Sequence, residues 1–153
     1  MAYYTKVLQP NEDVRYIGQL HWMIYRDAVL FAVLAVVALI VSATLSGNQF
    51  MAVLVLTALL AALAAIAFLR AWFLRVTTEI VVTDKRIIHK VGWIGRRTEE
   101  INISKVETVD VRQGIAGRIF DFGTVGIIGI GASWEPLRRV QAPLQLRNAI
   151  MVG

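Results

Sequence analysis

The stretch Ala28–Leu69 reads AVLFAVLAVVALIVSATLSGNQFMAVLVLTALLAALAAIAFL, and its 42 residues include no Lys, Arg, Asp, Glu or His. A helix needs about 20 residues, at about 1.5 Å each, to cross a hydrocarbon core about 30 Å thick. There is room for two crossings. Ser46-Gly47-Asn48-Gln49 supplies a polar, turn-prone break. The expected hairpin therefore has arms at 28–45 and 50–69 within a membrane segment 28–75, flanked by segments 1–27 and 76–153.

Neither arm keeps the polar face, at a 3.6-residue period, that a core helix in a soluble protein shows. Composition agrees, since 57% hydrophobic residues and a mean hydropathy of +0.60 exceed the usual soluble range. The leader before the apolar run is too long for a cleaved signal peptide, and a second span follows at once. Cysteine is absent, which excludes disulfides, thiolate chemistry and Cys-ligated metals.

The flanks orient the hairpin. Arg15 and Arg26 precede it, Arg70, Arg75, Lys85 and Arg86 follow it, and the connecting turn holds no basic residue. The positive-inside rule then places both termini in the cytoplasm. Trp22, Tyr25, Trp72 and Phe73 fall where an aromatic belt would anchor the same interface. Transport through the hairpin is excluded as a reading, because ionisable groups at membrane depth normally mark such pathways. The second arm places Thr57, Ala61 and Ala65 at four-residue spacing, with Ala58 and Ala62 beside them. Small residues so spaced let helices approach closely, either within the hairpin or between subunits of a homo-oligomer.

Outside the hairpin the texture is that of short strands between turns. Gln9–Asp13 reads as a turn, Val14–Leu20 as a strand and His21–Asp27 as the start of the first helix. Thr78–Thr83, Arg86–Val91, Arg97–Ile103 and Val106–Arg112 read as strands, with turns at Asp84-Lys85 and Gly92–Gly95. The apolar phase does not carry across Ser104-Lys105, which predicts a break there. Gln113–Asp121 interrupts the strands, and Gly123–Gly131 with Ser133–Val140 forms a further hairpin. Pro143 then opens a short helix whose apolar face is Leu146, Ala149 and Ile150. About six strands closed by a helix imply a small open barrel or sandwich.

Three segments carry a family likeness: Thr83-Asp84-Lys85-Arg86-Ile87, Ile103–Val109, and Gly117-Arg118-Ile119-Phe120 followed by Gly123-Thr124-Val125. Together with Leu8-Gln9-Pro10-Asn11-Glu12 and His21-Trp22 they resemble the bacterial pleckstrin-homology-like, membrane-flanked domain family. The resemblance implies two N-terminal spans and a cytoplasmic β-barrel capped by a C-terminal helix, in a bacterial inner membrane. It implies a fold more firmly than an activity.

Candidate sites are few. His21 and His89 are distant in sequence and have no ligand-spaced carboxylates, so no metal or cofactor is expected. Gly126, Gly129 and Gly131 lack the strand-loop-helix context and the Lys-Ser/Thr of a phosphate loop. Glu99, Glu100, Glu107, Asp110 and Asp121 read as solvated strand faces, and Arg118 with Asp121 as a turn pair. The net charge is +5. Beside a membrane such an excess answers anionic lipid rather than nucleic acid. Arg70, Arg75, Lys85, Arg86, Arg96 and Arg97 are the headgroup candidates, with generic anchoring as the plainer reading of the same residues. The expected function is a non-enzymatic, self-associating binding or scaffolding module with a membrane or cytoplasmic protein partner. Anionic-lipid recognition is the alternative, and an integral-membrane enzyme stands behind both.

Overall fold

A computed structural model of the protein describes residues 8–92, 95, 97–134 and 136–151, apart from the side chains of 132 and 133. Runs rich in Val and Ile between turn residues form strands, as β-branched side chains favour. Strands β1 (Val14–Gly18), β2 (Glu79–Thr83), β3 (Arg86–Val91) and β4 (Arg97–Asn102) make one antiparallel sheet in that order. A second sheet holds β5 (Val106–Arg112), β6 (Phe122–Gly129), β7 (Ala132–Ser133) and β8 (Leu137–Gln141), with β6 pairing β5, β7 and β8. The expected break is a 3-10 turn, Ile103–Lys105, that passes the chain from one sheet to the other. The sheets also meet at an isolated bridge between Leu20 and Val140.

The core lies between them. Ile80, Val82 and Ile87 from the first sheet meet Val109, Val125, Ile127, Leu137 and Val140 from the second. Helix α4 (Pro143–Met151) closes it with Leu146 and Ile150. Each such side chain, fully buried, contributes about 1.5–3 kcal/mol. Between β5 and β6 the segment expected only as an interruption is a one-turn helix, α3 (Ile115–Ile119).

Residues 22–73 form a second, separate unit. After a 3-10 turn at Trp22–Tyr25 come α1 (Arg26–Ser42) and α2 (Gly47–Thr77). The connection is thus 43–46 rather than the predicted 46–49. Ser42 Oγ donates to the Leu39 carbonyl at 2.6 Å and Thr44 Oγ1 to that of Val41 at 2.8 Å, satisfying carbonyls at the end of α1. Gly47, at φ 60°, then turns the chain into α2. At 31 residues, α2 extends to about 46 Å, runs past the predicted end at Leu69, and carries Arg70 and Arg75. Residues 22–42, the 3-10 turn together with α1, and α2 are each long and apolar enough to cross a membrane.

The first sheet shows where this helical segment enters the fold. β1 pairs β2 antiparallel, Val14 opposite Thr83 and Gly18 opposite Ile80. Residues 14–18, expected within a separate N-terminal segment, are therefore a strand of the β domain, and the helices are inserted between its first two strands.

Candidate functional site at the helix-proximal end of the domain

Strand register gives the β domain two distinguishable ends. At the near end the chain leaves β1 through His21 and returns through Thr78 into β2. The same end holds Lys90 and Arg97, since Glu79 pairs Lys90 and Val91 pairs Arg97. In the second sheet, Arg112, Phe122 and Gln141 lie there, tied by the Leu20–Val140 bridge and the Phe122–Gln141 pair. The far end carries Glu12, Thr83, Lys85 and Arg86.

The far end is a lock. The Glu12 carboxylate accepts from Arg86 Nε and Nη2, both at 2.9 Å, from Thr83 Oγ1 at 2.8 Å and from the Gln9 amide at 2.8 Å. Arg86 Nη1 also reaches Glu100 at 2.7 Å. Bidentate, charge-assisted bonds of this kind are the strong ones. They overcome the burial that would raise the carboxyl and hold Glu12 down at about 2, while Arg86 is raised in return. The Gln9–Glu12 and Thr83–Arg86 segments, separate marks of likeness in the sequence, are here two halves of one ion pair.

This corrects two expectations about the basic turns. Arg86 is not offered to a headgroup; its side chain is 12% exposed and committed to two carboxylates. Nor do the turns join. Arg86 faces Asn102 while Val91 faces Arg97, and five residues of strand separate the ends by about 17 Å. Lys85 is exposed at the far end, and Arg97 is exposed at the near end, where it pairs with Glu99 at 2.6 Å. Arg96 lies outside the described residues, as do Trp93 and Ile94 of the predicted turn.

The near end is built around His21. Its amide donates to the Arg139 carbonyl at 2.8 Å, and its ring stacks on Phe122 with centroids 5.1 Å apart. Burial lowers the imidazole below its ordinary value, against the opposing effect of its bond to the Phe120 backbone. Burial also raises the nearby Tyr16 phenol, with the Asp121 charge adding to it. Asp121, Arg139 and Ala142 all adopt left-handed backbone, at φ 54°, 58° and 47°. For Ala142 that costs about 1–2 kcal/mol. The Ala142 amide, donating to the Asp121 carbonyl at 3.0 Å, helps to hold the arrangement.

Helix α3 stands at this same end, because it joins the end of β5 to the start of β6. Gly117 lies flush on β6: a Cβ there would sit 2.5 Å from the Phe122 carbonyl oxygen. Gln113 Nε2 bonds both the Gly117 and Phe122 carbonyls, at 3.2 and 3.3 Å. With its glycine face inward, α3 turns Ile115 and Ile119 outward, 84% and 71% exposed, followed by Phe120 at 46%. Beside it an open cleft of about 660 Å³ is lined by Val111, Arg112, Gln113, Gly114, Arg118 and Leu144.

The bacterial PH domain family matches residues 15–151. The chain belongs to that family. No curated protein and no solved structure shows significant similarity to it. In this bacterial PH domain the strands, the β5–β6 helix and the capping α4 make up the unit of residues 1–21 and 74–153.

The other predicted residues fall as follows. In the helical unit of the bacterial PH domain protein, the Tyr25 and Phe68 rings lie 5.3 Å apart. That register puts Trp22 and Tyr25 at the same end of the hairpin as Trp72 and Phe73. Burial recurs at Ala28, Ala35 and Ser42 in α1, and half-burial at Val53, Thr57, Leu60, Ala64 and Ala67 in α2. These are the facing sides of the pair. Thr57 belongs to this face, whereas Ala58, Ala61, Ala62 and Ala65 are exposed. His89 lies beside Trp134, their rings 6.3 Å apart, and no three metal-ligating side chains group among the described residues. Asp110 is engaged by Arg112 at 2.7 Å. Arg118, expected to pair with Asp121 in a turn, lines the cleft beside α3. Sequence reasoning missed the α3 residues. The available signal was Ile115 and Ile119 one turn apart around a glycine.

Proposed function

We propose that this protein is a membrane-anchored, non-enzymatic bacterial PH module that binds and scaffolds at the cytoplasmic face of an inner membrane. The observation that carries this is the exposure of apolar side chains around both long helices, among them Val29, Ile40, Leu59 and Ile66. In water such surface is unfavourable at about 25 cal/mol per Å²; in lipid it is at home. The basic and aromatic residues at one end of the hairpin support the orientation with both termini inside.

The cysteine-free chain makes the test direct. Single cysteines at Asn48 and Lys85 are labelled with an impermeant maleimide in intact cells and after permeabilisation. The reading expects Asn48→Cys to label in intact cells and Lys85→Cys only after permeabilisation. The reverse pattern overturns the orientation, and extraction of the protein by alkaline carbonate overturns the anchor.

Self-association is part of the same reading. The hairpin packs through Thr57, Leu60, Ala64 and Ala67, which leaves Ala58, Ala61, Ala62 and Ala65 as a small-residue surface for a second copy. Native mass spectrometry that finds monomer alone across several detergents overturns it.

The alternative reading, anionic-headgroup binding, is favoured by the placement of Arg75 and Arg97 where the chain meets the helices, with Arg70 further along α2. Lys85, at the far end, falls to a general electrostatic role. Anionic lipid should co-purify with the full chain and be depleted in Arg75→Glu/Arg97→Glu; equal retention overturns this reading.

A further inference from the structure

We infer that α3 is a third membrane contact: Ile115, Ile119 and Phe120 seat in the interfacial layer of the bilayer that α1 and α2 cross, while Arg112 and Arg118 take the phosphates of its anionic lipids. The inference rests on the anchor reading above and adds to it a docking surface on the domain itself.

The first argument is orientation. A surface helix normally turns its apolar side inward and its polar side to water. In α3 the reverse holds. Gly117 must face β6, because any Cβ there would strike the Phe122 carbonyl, and residues four apart share the opposite face. Ile115 and Ile119 therefore project outward together, with Phe120 adjoining them. Scattered exposed hydrophobics need no explanation, but three within six residues, two of them on a helix held in place from behind and the third directly after it, mark an interaction surface.

The second argument identifies the occupant. The His21 ring packs on Phe122 and bonds the Phe120 backbone, and Phe120 directly follows α3. Trp22, the next residue after His21, begins the helical segment. Within the β domain α3 therefore stands beside the residue that leads into the helical segment, which on the anchor reading enters lipid. A partner that is always present there, on that reading, is the bilayer.

Charge is the third. Arg112 and Arg118 line the cleft beside α3. Of the carboxylates at this end, Glu79 is engaged by Lys90 and Glu99 by Arg97 in ion pairs, Asp121 lies beside His21, and Asp110 is engaged by Arg112 in an exposed pair. Exposed pairs of that kind exchange readily for a phosphate. Apolar residues in the interface with arginines at the phosphate level are the usual composition of an interfacial contact.

The test uses the full-length chain in vesicles of phosphatidylcholine and phosphatidylglycerol. An environment-sensitive fluorophore is placed on single cysteines at Gly114, Lys85 and Leu59, and quenched by spin-labelled lipid. Gly114 is chosen because a Cβ there meets nothing within 4 Å. Quenching is expected at 114 and 59 and not at 85. Ile115→Ser/Ile119→Ser should lower quenching at 114 at least ten-fold in the docked-to-free ratio. Arg112→Gln/Arg118→Gln, or vesicles of phosphatidylcholine alone, should lower it about 30-fold, from about five-fold per interfacial arginine. Quenching at 59 but not at 114 overturns the inference alone; loss of quenching at 59 overturns the anchor and the inference with it. Indifference to the isoleucine pair also overturns it, as does crosslinking between copies through 114 in place of quenching. Quenching that ignores lipid charge overturns the role given to the arginines.

Discussion

Replacing Glu12 by Gln tests the lock at the far end of the domain. The Glu12 side chain is fully buried, and the Arg86 guanidinium holds its carboxyl at about 2 against an ordinary 4.5. At about 1.36 kcal/mol per pH unit that difference corresponds to about 3 kcal/mol of stability at neutral pH. Breaking a buried pair by removing one partner costs about 3–5 kcal/mol. The lower end applies here, since Glu100 still engages Arg86. The β domain comprises about 100 residues, for which each kcal/mol moves Tm by about 4–8 °C. Glu12→Gln should therefore melt about 15 °C below the parent at pH 7, followed by circular dichroism of the full chain in detergent. The carboxyl is depressed in the folded state, so its contribution is complete above pH 4.5 and lost as pH falls toward 2. The two melting curves should converge across that window. A difference under about 2 °C at pH 7, or one that persists unchanged at pH 2, would refute the assignment.

His21, lowered by burial, should titrate in the folded protein with a midpoint below 6.5, followed by its ring resonances in NMR. Its contribution is then complete above pH 6.5 and lost as pH falls below that; a midpoint at or above 6.5 would contradict the buried placement. Gly117→Ala forces a Cβ within 2.5 Å of the Phe122 carbonyl and should cost about 1–3 kcal/mol, read as a lower Tm, whereas Gly114→Ala, in open space, should not. In the hairpin, Ala62→Leu should weaken self-association while sparing the monomer's helices. Ala64→Leu, on the face toward α1, should disturb the helix pair itself. Equal effects of the two on crosslinking would remove the distinction between the faces.

Much of the chain was legible as sequence because its signals are local. The strand Arg86–Val91 and the break after β4 follow from β-branched runs, turn residues and a phase that fails to continue. Pro143 at the head of α4, with Leu146 and Ile150 buried, follows from the same kind of reading. Hairpin boundaries were less legible: hydroxyl-to-carbonyl bonds at Ser42 and Thr44 end α1 early, and propensity alone does not register them. The basic turns misled because sequence proximity to a span is not spatial proximity. Arg86 and Arg97 are eleven positions apart in the chain, and antiparallel pairing sends them to opposite ends of a sheet.

The sequence by itself determined an uncharged run long enough for two helices, the alternation of strands and the family likeness, since hydrophobic runs, periodicity and short motifs are properties of neighbouring residues. Which charges are spent and which surfaces are left open was decided only by the tertiary structure. Glu12 and Arg86 meet across 74 positions because β1 pairs with β2 around the inserted hairpin. Ile115 and Ile119 face outward because Gly117 must lie against a strand that comes later in the chain. Burial and pairing are relations between distant residues, and only the folded register brings those residues together.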